Sequence, residues 1–165
     1  MKNKKLLLDI KEYLKCYEDQ VLEDWYELIR HISVSETGEG IETCCDWIQK
    51  KMEEIGIQVT KYSVKPAPVL VGRFGNDPEK KTVLIYAHYD VKPAGERKLW
   101  HSDPFVPTVR DGKVYARGSA DNKSPLMAHL KALEYFIRRK MEVPVNVIFV
   151  FEGDEECGSR GLEEF

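Results

Sequence analysis

The stretch Thr82-Val-Leu-Ile-Tyr-Ala-His-Tyr-Asp90 places an apolar run directly before a histidine and an aspartate. Residues 82–87 predict a buried strand, because a short, compact apolar run with β-branched side chains is typical of one. Residues 145–151, Val-Asn-Val-Ile-Phe-Val-Phe, predict a second buried strand for the same reason. Between the two runs, Ser124-Pro125 predicts the start of a helix, with Ser124 as its N-cap. The apolar stripe of this helix is formed by Leu126, Leu130, Leu133 and Ile137.

The order strand, helix, strand predicts crossover units. It therefore predicts an α/β fold whose sheet is largely parallel, or mixed, and is flanked by helices. In such sheets the functional residues lie just beyond the carboxyl ends of the strands. The flanking predictions are a helix at 6–32, a loop at 33–40, a helix at 42–55 that Gly56 ends, strands at 58–64, 69–74 and 113–116, and the start of a helix at 158–165.

Composition excludes several classes of protein. Of the 165 residues, 42% are hydrophobic and 32% are charged, which is enough apolar matter for one core and rules out a disordered chain. No run approaches the ~18 apolar residues of a membrane span, and a net charge of −3 gives no support to a nucleic-acid-binding surface. Only three apolar residues in a row precede Asp9, so we expect no export signal and a cytoplasmic protein. We expect its cysteines to be reduced thiols.

The first cluster of candidate functional residues is the pair His88 and Asp90. Residues two apart in an extended chain point the same way. A metal-bound imidazole usually donates its other N–H to a carboxylate or a carbonyl, and Asp90 is a candidate for that partner. The alternative is a strand end with two solvated polar residues.

The second cluster surrounds Asp121, between the short strand and the long helix. Since Ser124 is the predicted cap of that helix, the carboxylate of Asp121 is left without a structural role. The remaining histidines are predicted to serve packing or the surface rather than to bind a ligand: His31, His101 and His129.

The third cluster is the acidic stretch 152–156, Glu-Gly-Asp-Glu-Glu, directly after the second apolar strand. Four carboxylates this close repel one another unless a cation neutralises them. A solvated acidic loop is the alternative. Cys157 is disfavoured as a ligand, because the other candidates are hard oxygen donors. Positions 88, 121 and 156 are each about one crossover unit apart, and their nitrogen and oxygen donors suit Zn²⁺, Mn²⁺ or Co²⁺.

Four stretches together resemble the co-catalytic (di-zinc) metallopeptidase superfamily of carnosinases, bacterial dipeptidases, carboxypeptidase G, aminoacylases, acetylornithine deacetylase and succinyl-diaminopimelate desuccinylase. They are residues 86–93, 100–105, 111–123 and 151–159. The resemblance runs from about Val83 to the last residue. The His-Tyr-Asp-Val-x-Pro form is most similar to the dipeptidase and carnosinase branch.

The resemblance implies a zinc-peptidase-like catalytic domain and a role for each residue. His88 binds one metal ion, and Asp90 orients it. Asp121 bridges two metal ions, and Glu156 binds the second. Glu155 is the general base that activates the water, and the peptide bond after Asp121 is cis. Two divalent ions are implied for the complete enzyme, zinc in the first place and manganese or cobalt otherwise. The implied substrate is a small peptide or an N-acyl amino acid.

The resemblance also implies that this chain is incomplete. A further acidic ligand and a late histidine of the family are absent, as is the smaller domain used for dimerisation. We therefore expect residues 1–165 to be the N-terminal portion of a catalytic domain, with a helical lead-in at about 1–56 and the α/β metal-site core at 57–165. The complete enzyme is expected to be a homodimer without nucleic-acid or membrane partners, and the fragment alone to be inactive. The alternative is a truncated product that acts as a non-catalytic partner module.

Overall fold

The computed structural model describes residues 2–165, and the side chains of 4–163 and 165. In chain order the helices are α1 (Lys2–Arg30), α2 (Ile41–Ile55), α3 (Lys123–Arg138) and α4 (Arg160–Glu164). The strands are β1 (Gln58–Tyr62), β2 (Val69–Phe74), β3 (Thr82–His88), β4 (Thr108–Arg110), β5 (Lys113–Tyr115) and β6 (Asn146–Glu152). Short 3₁₀ turns lie at Arg97–Leu99 and Glu155–Cys157.

The main sheet has four strands in the order β1-β2-β6-β3 and is mixed, as predicted. Strand β6 pairs in parallel with β3 and antiparallel with β2, which in turn pairs antiparallel with β1. Of the three strand pairs described in this sheet, one is parallel, which is fewer than the sequence predicted. The reason for the β1–β2 pairing is the short connection between them, because parallel neighbours need a crossover of a dozen or more residues.

The predicted strand at 113–116 is present as β5, but it does not belong to the main sheet. It pairs antiparallel with β4 in a separate two-stranded sheet. Asp111 and Gly112, both with positive φ, form the tight turn between these strands. The three positions 88, 121 and 156 therefore do not all follow strands of the main sheet. Asp121 follows this hairpin, while the other two positions follow β3 and β6.

The core lies between the sheet and the helices. Its fully buried members include Phe149 and Phe151 of β6, with Ile48 and Met52 of α2 against them in the same cluster. The predicted stripe of α3 is confirmed: Leu126, Leu130 and Leu133 are buried, and Ile137 packs on the cluster. Gly56 ends α2 in the left-handed region with its N–H on the carbonyls of the last turn, also as predicted.

Helix α1 is held to the other helices by polar and aromatic contacts. Asp24 accepts a hydrogen bond from Lys51 of α2 at 3.0 Å and another from Lys131 of α3. The rings of Tyr13 and Tyr135 stack edge to face at 5.1 Å. Across residues 2–165, helices that combine the length and the apolar character of a membrane span are absent.

The start of α3 differs from the prediction. The helix begins at Lys123, one residue before the predicted cap Ser124, and the residue at the cap position, Asn122, makes no side-chain capping bond. The main-chain N–H of Lys123 is instead satisfied by the carbonyl of Gly118 at 3.2 Å. The Asp121–Asn122 peptide is cis, as the resemblance implied.

Strand β3 is less buried than its apolar sequence predicts. Val83, Leu84 and Tyr86 are 42%, 63% and 43% exposed, because β3 is an edge strand of the described sheet. Strand β6, which has a neighbour on each side, is buried along most of its length as predicted.

At the start of β6 the side chain of Asn146 closes the turn that leads into β3. Its amide donates to the main-chain oxygen of Asp77 at 2.8 Å and accepts from the N–H of the same residue at 3.0 Å. The main-chain N–H of Asn146 also donates to the carbonyl of Lys81 at 2.9 Å. Both parallel strands thus begin at one fixed point.

Candidate metal and catalytic site

The site lies where the two parallel strands end. His88, the last residue of β3, is in register with Glu152, the last residue of β6, so the segments that follow them leave the sheet at the same edge. The first segment carries Asp90, and the second carries Glu155 and Glu156. Topology alone therefore brings an imidazole and several carboxylates together, as the rule for strand ends predicts.

His88 and Asp90 form a buried pair. The Nδ1 atom of His88 is 3.3 Å from the Asp90 carboxylate and 3.2 Å from its main-chain oxygen. The Asp90 carboxylate, with no exposed surface, also accepts the main-chain N–H groups of Glu155 at 3.2 Å and Glu156 at 3.0 Å. Burial raises the pKa of Asp90, but hydrogen bonds from His88, Ser35 and Glu156 outweigh it and hold that pKa below its ordinary value.

The other ring nitrogen of His88 faces two more acids. Its Nε2 atom lies 3.1 Å from an oxygen of Asp121 and 3.6 Å from an oxygen of Glu155. The Asp121 side chain is 75% exposed and that of Glu155 is 43% exposed, so this side of the ring opens to solvent. Burial lowers the pKa of His88, but the hydrogen bond and charge of Asp90, with the charges of Glu155 and Asp121, raise it to about 9.

Glu156 has a different environment. Its main-chain N–H joins the Asp90 carboxylate, while its own carboxylate lies 3.6 Å from Nζ of Lys92. Lys92 also donates to the main-chain oxygen of Glu156. The structure thus brings His88, Asp90, Asp121 and Glu155 into contact and pairs the Glu156 carboxylate with Lys92. Among the described side chains, no group of three or more metal-binding residues is arranged to hold an ion. The role of Glu156 as a ligand stays a prediction.

The donor chemistry nevertheless fits a divalent ion between His88 and Asp121. Two donors bound to one zinc ion at ~2.0–2.2 Å lie a little over 3 Å apart, and Nε2 of His88 is 3.1 Å from the Asp121 oxygen. The opposite nitrogen of the ring contacts a carboxylate, as is usual for metal-bound histidines. One imidazole nitrogen with carboxylate oxygens suits zinc, manganese or cobalt.

The other candidates lie outside this cluster. His101 and His129 are exposed, and His31 packs on the ring of Trp47 at 5.4 Å. The Sγ atom of Cys157 contacts Oγ of Ser35 at 3.5 Å. The cysteines are free thiols, and Cys44 and Cys45 are buried.

Sequence reasoning missed several residues around the cluster. Lys92 is two residues after Asp90 in the sequence. A lysine this close to the predicted carboxylate cluster could have been predicted to pair with one of its acids. Ser33, Ser35 and the buried side chain of Lys123 carried no signal, because their contacts join segments far apart in the chain.

Comparison with known proteins defines the class. The chain is 44% identical to the Cys-Gly metallodipeptidase of Schizosaccharomyces pombe over 118 residues. This aligned region is 69% of this chain and 25% of the relative. It is 46% identical over 97 residues to the human Beta-Ala-His dipeptidase, 59% of this chain and 19% of the relative. The crystal structure of human carnosine dipeptidase 1 superposes with a TM-score of 0.90 at 32% identity, over 96% of this chain and 37% of that one.

In fold and site the chain is thus similar to part of a metallopeptidase. Residues 84–165 match the model of peptidase family M20/M25/M40, and the chain belongs to that family. The chain spans about a quarter of the length of the curated relatives it matches first.

Proposed function

We propose that the whole protein is a metal-dependent dipeptidase, which hydrolyses the amide bond of a dipeptide or of an N-acyl amino acid. The observation that carries the proposal is the buried His88–Asp90 pair, whose free ring nitrogen faces Asp121 and Glu155. Relatives named Cys-Gly, Beta-Ala-His and succinyl-diaminopimelate enzymes support this substrate class. We propose a cytoplasmic homodimer that needs no nucleic-acid or membrane partner.

His88, Asp121 and Glu156 would hold two divalent ions, with zinc as the first choice. For Glu156 this requires its carboxylate to exchange the contact with Lys92 for one with an ion. Bound divalent ions supply Lewis acidity, which makes water a stronger nucleophile at neutral pH and stabilises negative charge on the attacked carbonyl oxygen.

We propose Glu155 as the general base. Its carboxylate reaches the open side of the His88 ring, and its partial exposure leaves it accessible to water and substrate. In the proposed reaction it accepts the proton of the attacking water and then delivers it to the leaving amine, so that it ends the cycle unprotonated. A positioned base contributes roughly 10²–10⁴ in rate. Asp90 fixes the tautomer and the orientation of His88, and its two main-chain bonds fix the turn that carries Glu155.

The test is the Glu155→Gln variant of the intact gene product, loaded with Zn²⁺ or Mn²⁺ and assayed on a panel of dipeptides. We expect turnover to fall by roughly 10²–10⁴ with metal still bound, because the amide cannot accept a proton. The matched control is Glu79→Gln, an exposed glutamate in the turn at the opposite end of the sheet, with wild-type turnover expected. Undiminished turnover of Glu155→Gln with metal bound contradicts the proposal.

A second candidate function, a non-catalytic partner module, is favoured by one observation. The edge strand β3 exposes Val83, Leu84 and Tyr86, and an exposed apolar edge invites pairing with another chain. Size-exclusion chromatography with light scattering on the purified chain distinguishes the cases. Self-association or stable capture of a second protein supports the module, and a clean monomer argues against it.

A further inference from the structure

The segment 31–35, which directly follows α1, lies against the chain that leaves β3. The main-chain oxygen of Ser33 accepts the N–H of Val91 at 2.8 Å, and its hydroxyl donates to the main-chain oxygen of Tyr89 at 2.7 Å. Ser33 has no exposed surface, and Val34 forms a parallel bridge with Val91. Segment 31–35 therefore fixes the residue before Asp90 and the residue after it.

The same segment is tied to the turn that carries Asp121. Lys123 has no exposed surface, and its Nζ atom donates to the main-chain oxygen of His31 at 2.5 Å. Burying an ammonium group is costly unless it makes such a bond, so this contact is a specific one. Since Lys123 is two residues after Asp121, it links that carboxylate to segment 31–35.

Close packing supports this link. A Cβ on Gly118 would lie 2.6 Å from Cγ1 of Val91 and 3.4 Å from Cδ of Lys123, so the Asp121 turn and the chain after Asp90 touch at this point.

We propose that Ser33 and Lys123 are positioning residues, which use segment 31–35 to set the distance between Asp121 and the His88–Asp90 pair. They act through main-chain atoms and touch neither the proposed substrate nor the proposed ions. Ser33 lies in the helical lead-in, outside the four stretches that carry the family resemblance, whereas Lys123 is the last residue of the third stretch. The expected effect on catalysis rests on the proposed function. The expected effects on metal binding and on the His88 ring do not.

The test uses the intact gene product with two variants, Ser33→Ala and Lys123→Met. The first removes the hydroxyl that holds Tyr89, and the second keeps the length of the side chain but removes the bond to His31. The matched controls are Ser63→Ala and Lys113→Met, which change exposed residues of the same types. The readouts are Mn²⁺ affinity by titration calorimetry, the His88 ring nitrogen resonances of the metal-free protein, and kcat and KM separately.

We expect Mn²⁺ affinity to fall by roughly 10–100-fold in both variants, as for other residues that hold metal ligands in place. The His88 Nδ1 resonance shifts from its wild-type value, kcat falls while KM stays within about twofold, and the controls match the wild type. If Lys123→Met does not fold, Ser33→Ala decides. Folded variants with wild-type Mn²⁺ affinity and wild-type His88 resonances overturn the inference. A wild-type protein that binds Mn²⁺ but hydrolyses no dipeptide overturns only the proposed function.

Discussion

Gly153 permits the close approach between the turn after β6 and a buried tyrosine. A Cβ at this position would lie 2.5 Å from Cζ and from the hydroxyl oxygen of Tyr89, and 2.6 Å from its Cε2. Tyr89 has no exposed surface, and its hydroxyl donates to the main-chain oxygen of Pro68 at 2.7 Å. The variant Gly153→Ala therefore forces the ring, the turn or both to move.

The magnitude follows from these contacts. Carbon atoms rest at ~3.5–4.0 Å, so the ring must be displaced by about 1 Å from the added methyl group. Overpacking a core in this way destabilises by roughly 1–3 kcal/mol. A shift of this size also breaks the bond of Tyr89 to Pro68, and a buried polar group left unpaired adds roughly 1–3 kcal/mol. We expect Gly153→Ala to lower the free energy of unfolding by about 2–6 kcal/mol, the sum of the two contributions.

The assay is urea denaturation of the purified protein, followed by tryptophan fluorescence and by circular dichroism. The control is Gly161→Ala, where a Cβ would come no closer than 3.1 Å to a neighbouring atom, the main-chain oxygen of Lys65. A third variant, Gly153→Ala with Tyr89→Leu, removes the ring and should recover part of the loss as a coupling energy. The reasoning is refuted if Gly153→Ala destabilises no more than Gly161→Ala, or if its effect is unchanged without the Tyr89 ring.

Further measurements test other parts of the structure. Burial raises the pKa of Asp24, but hydrogen bonds from Lys131 and Lys51 hold that pKa below its ordinary value. The Asp24 carboxylate therefore stabilises the fold above pH ~4, and this stabilisation is lost as the pH falls. Asp24→Asn should accordingly lower stability at pH 7 and flatten the acid limb in pH-dependent unfolding. Burial raises the pKa of the Cys45 thiol to about 12, whereas Cys16 is exposed, so a thiol reagent should label Cys16 at once and Cys45 only after unfolding. Titrated alone with Zn²⁺, the chain should bind at most one equivalent weakly, since its described residues hold no ready three-ligand group; two tightly bound equivalents would contradict this.

Elements set by local patterns could be predicted from the sequence. The helices, the buried β6 and the end of α2 at Gly56 follow from periodicity, apolar runs and the conformational freedom of glycine. The exposure of β3 could not be predicted, because an apolar run does not say whether a strand has one neighbour or two. The start of α3 was misplaced because Gly118, several residues away in the chain, satisfies the N–H of Lys123.

The candidate site divides in the same way. The contact between His88 and Asp90 follows from their spacing on an extended chain, and the structure has it. The approach of Asp121 to His88 depends on the hairpin β4–β5 and the turn after it. The spacing of the clusters and the family resemblance pointed to this approach, but neither indicated the hairpin that achieves it. Ser33 makes its contact across a large stretch of sequence and through a main-chain oxygen, so nothing in its neighbours indicates its position.

The hydrogen bonds of Asn146 with Asp77 and Lys81 affect the position of His88 at the far end of β3. An unbroken apolar stretch such as 83–87 lacks the in–out alternation that prevents neighbouring strands from sliding past one another. A slip by a single residue would carry His88 about 3.3 Å along the sheet and turn its ring to the opposite face. Asn146 lies beside the first residue of β3, six residues or roughly 20 Å from His88. Its hydrogen bonds therefore hold the register of β3 against β6, and a substitution there would displace the imidazole without contacting it.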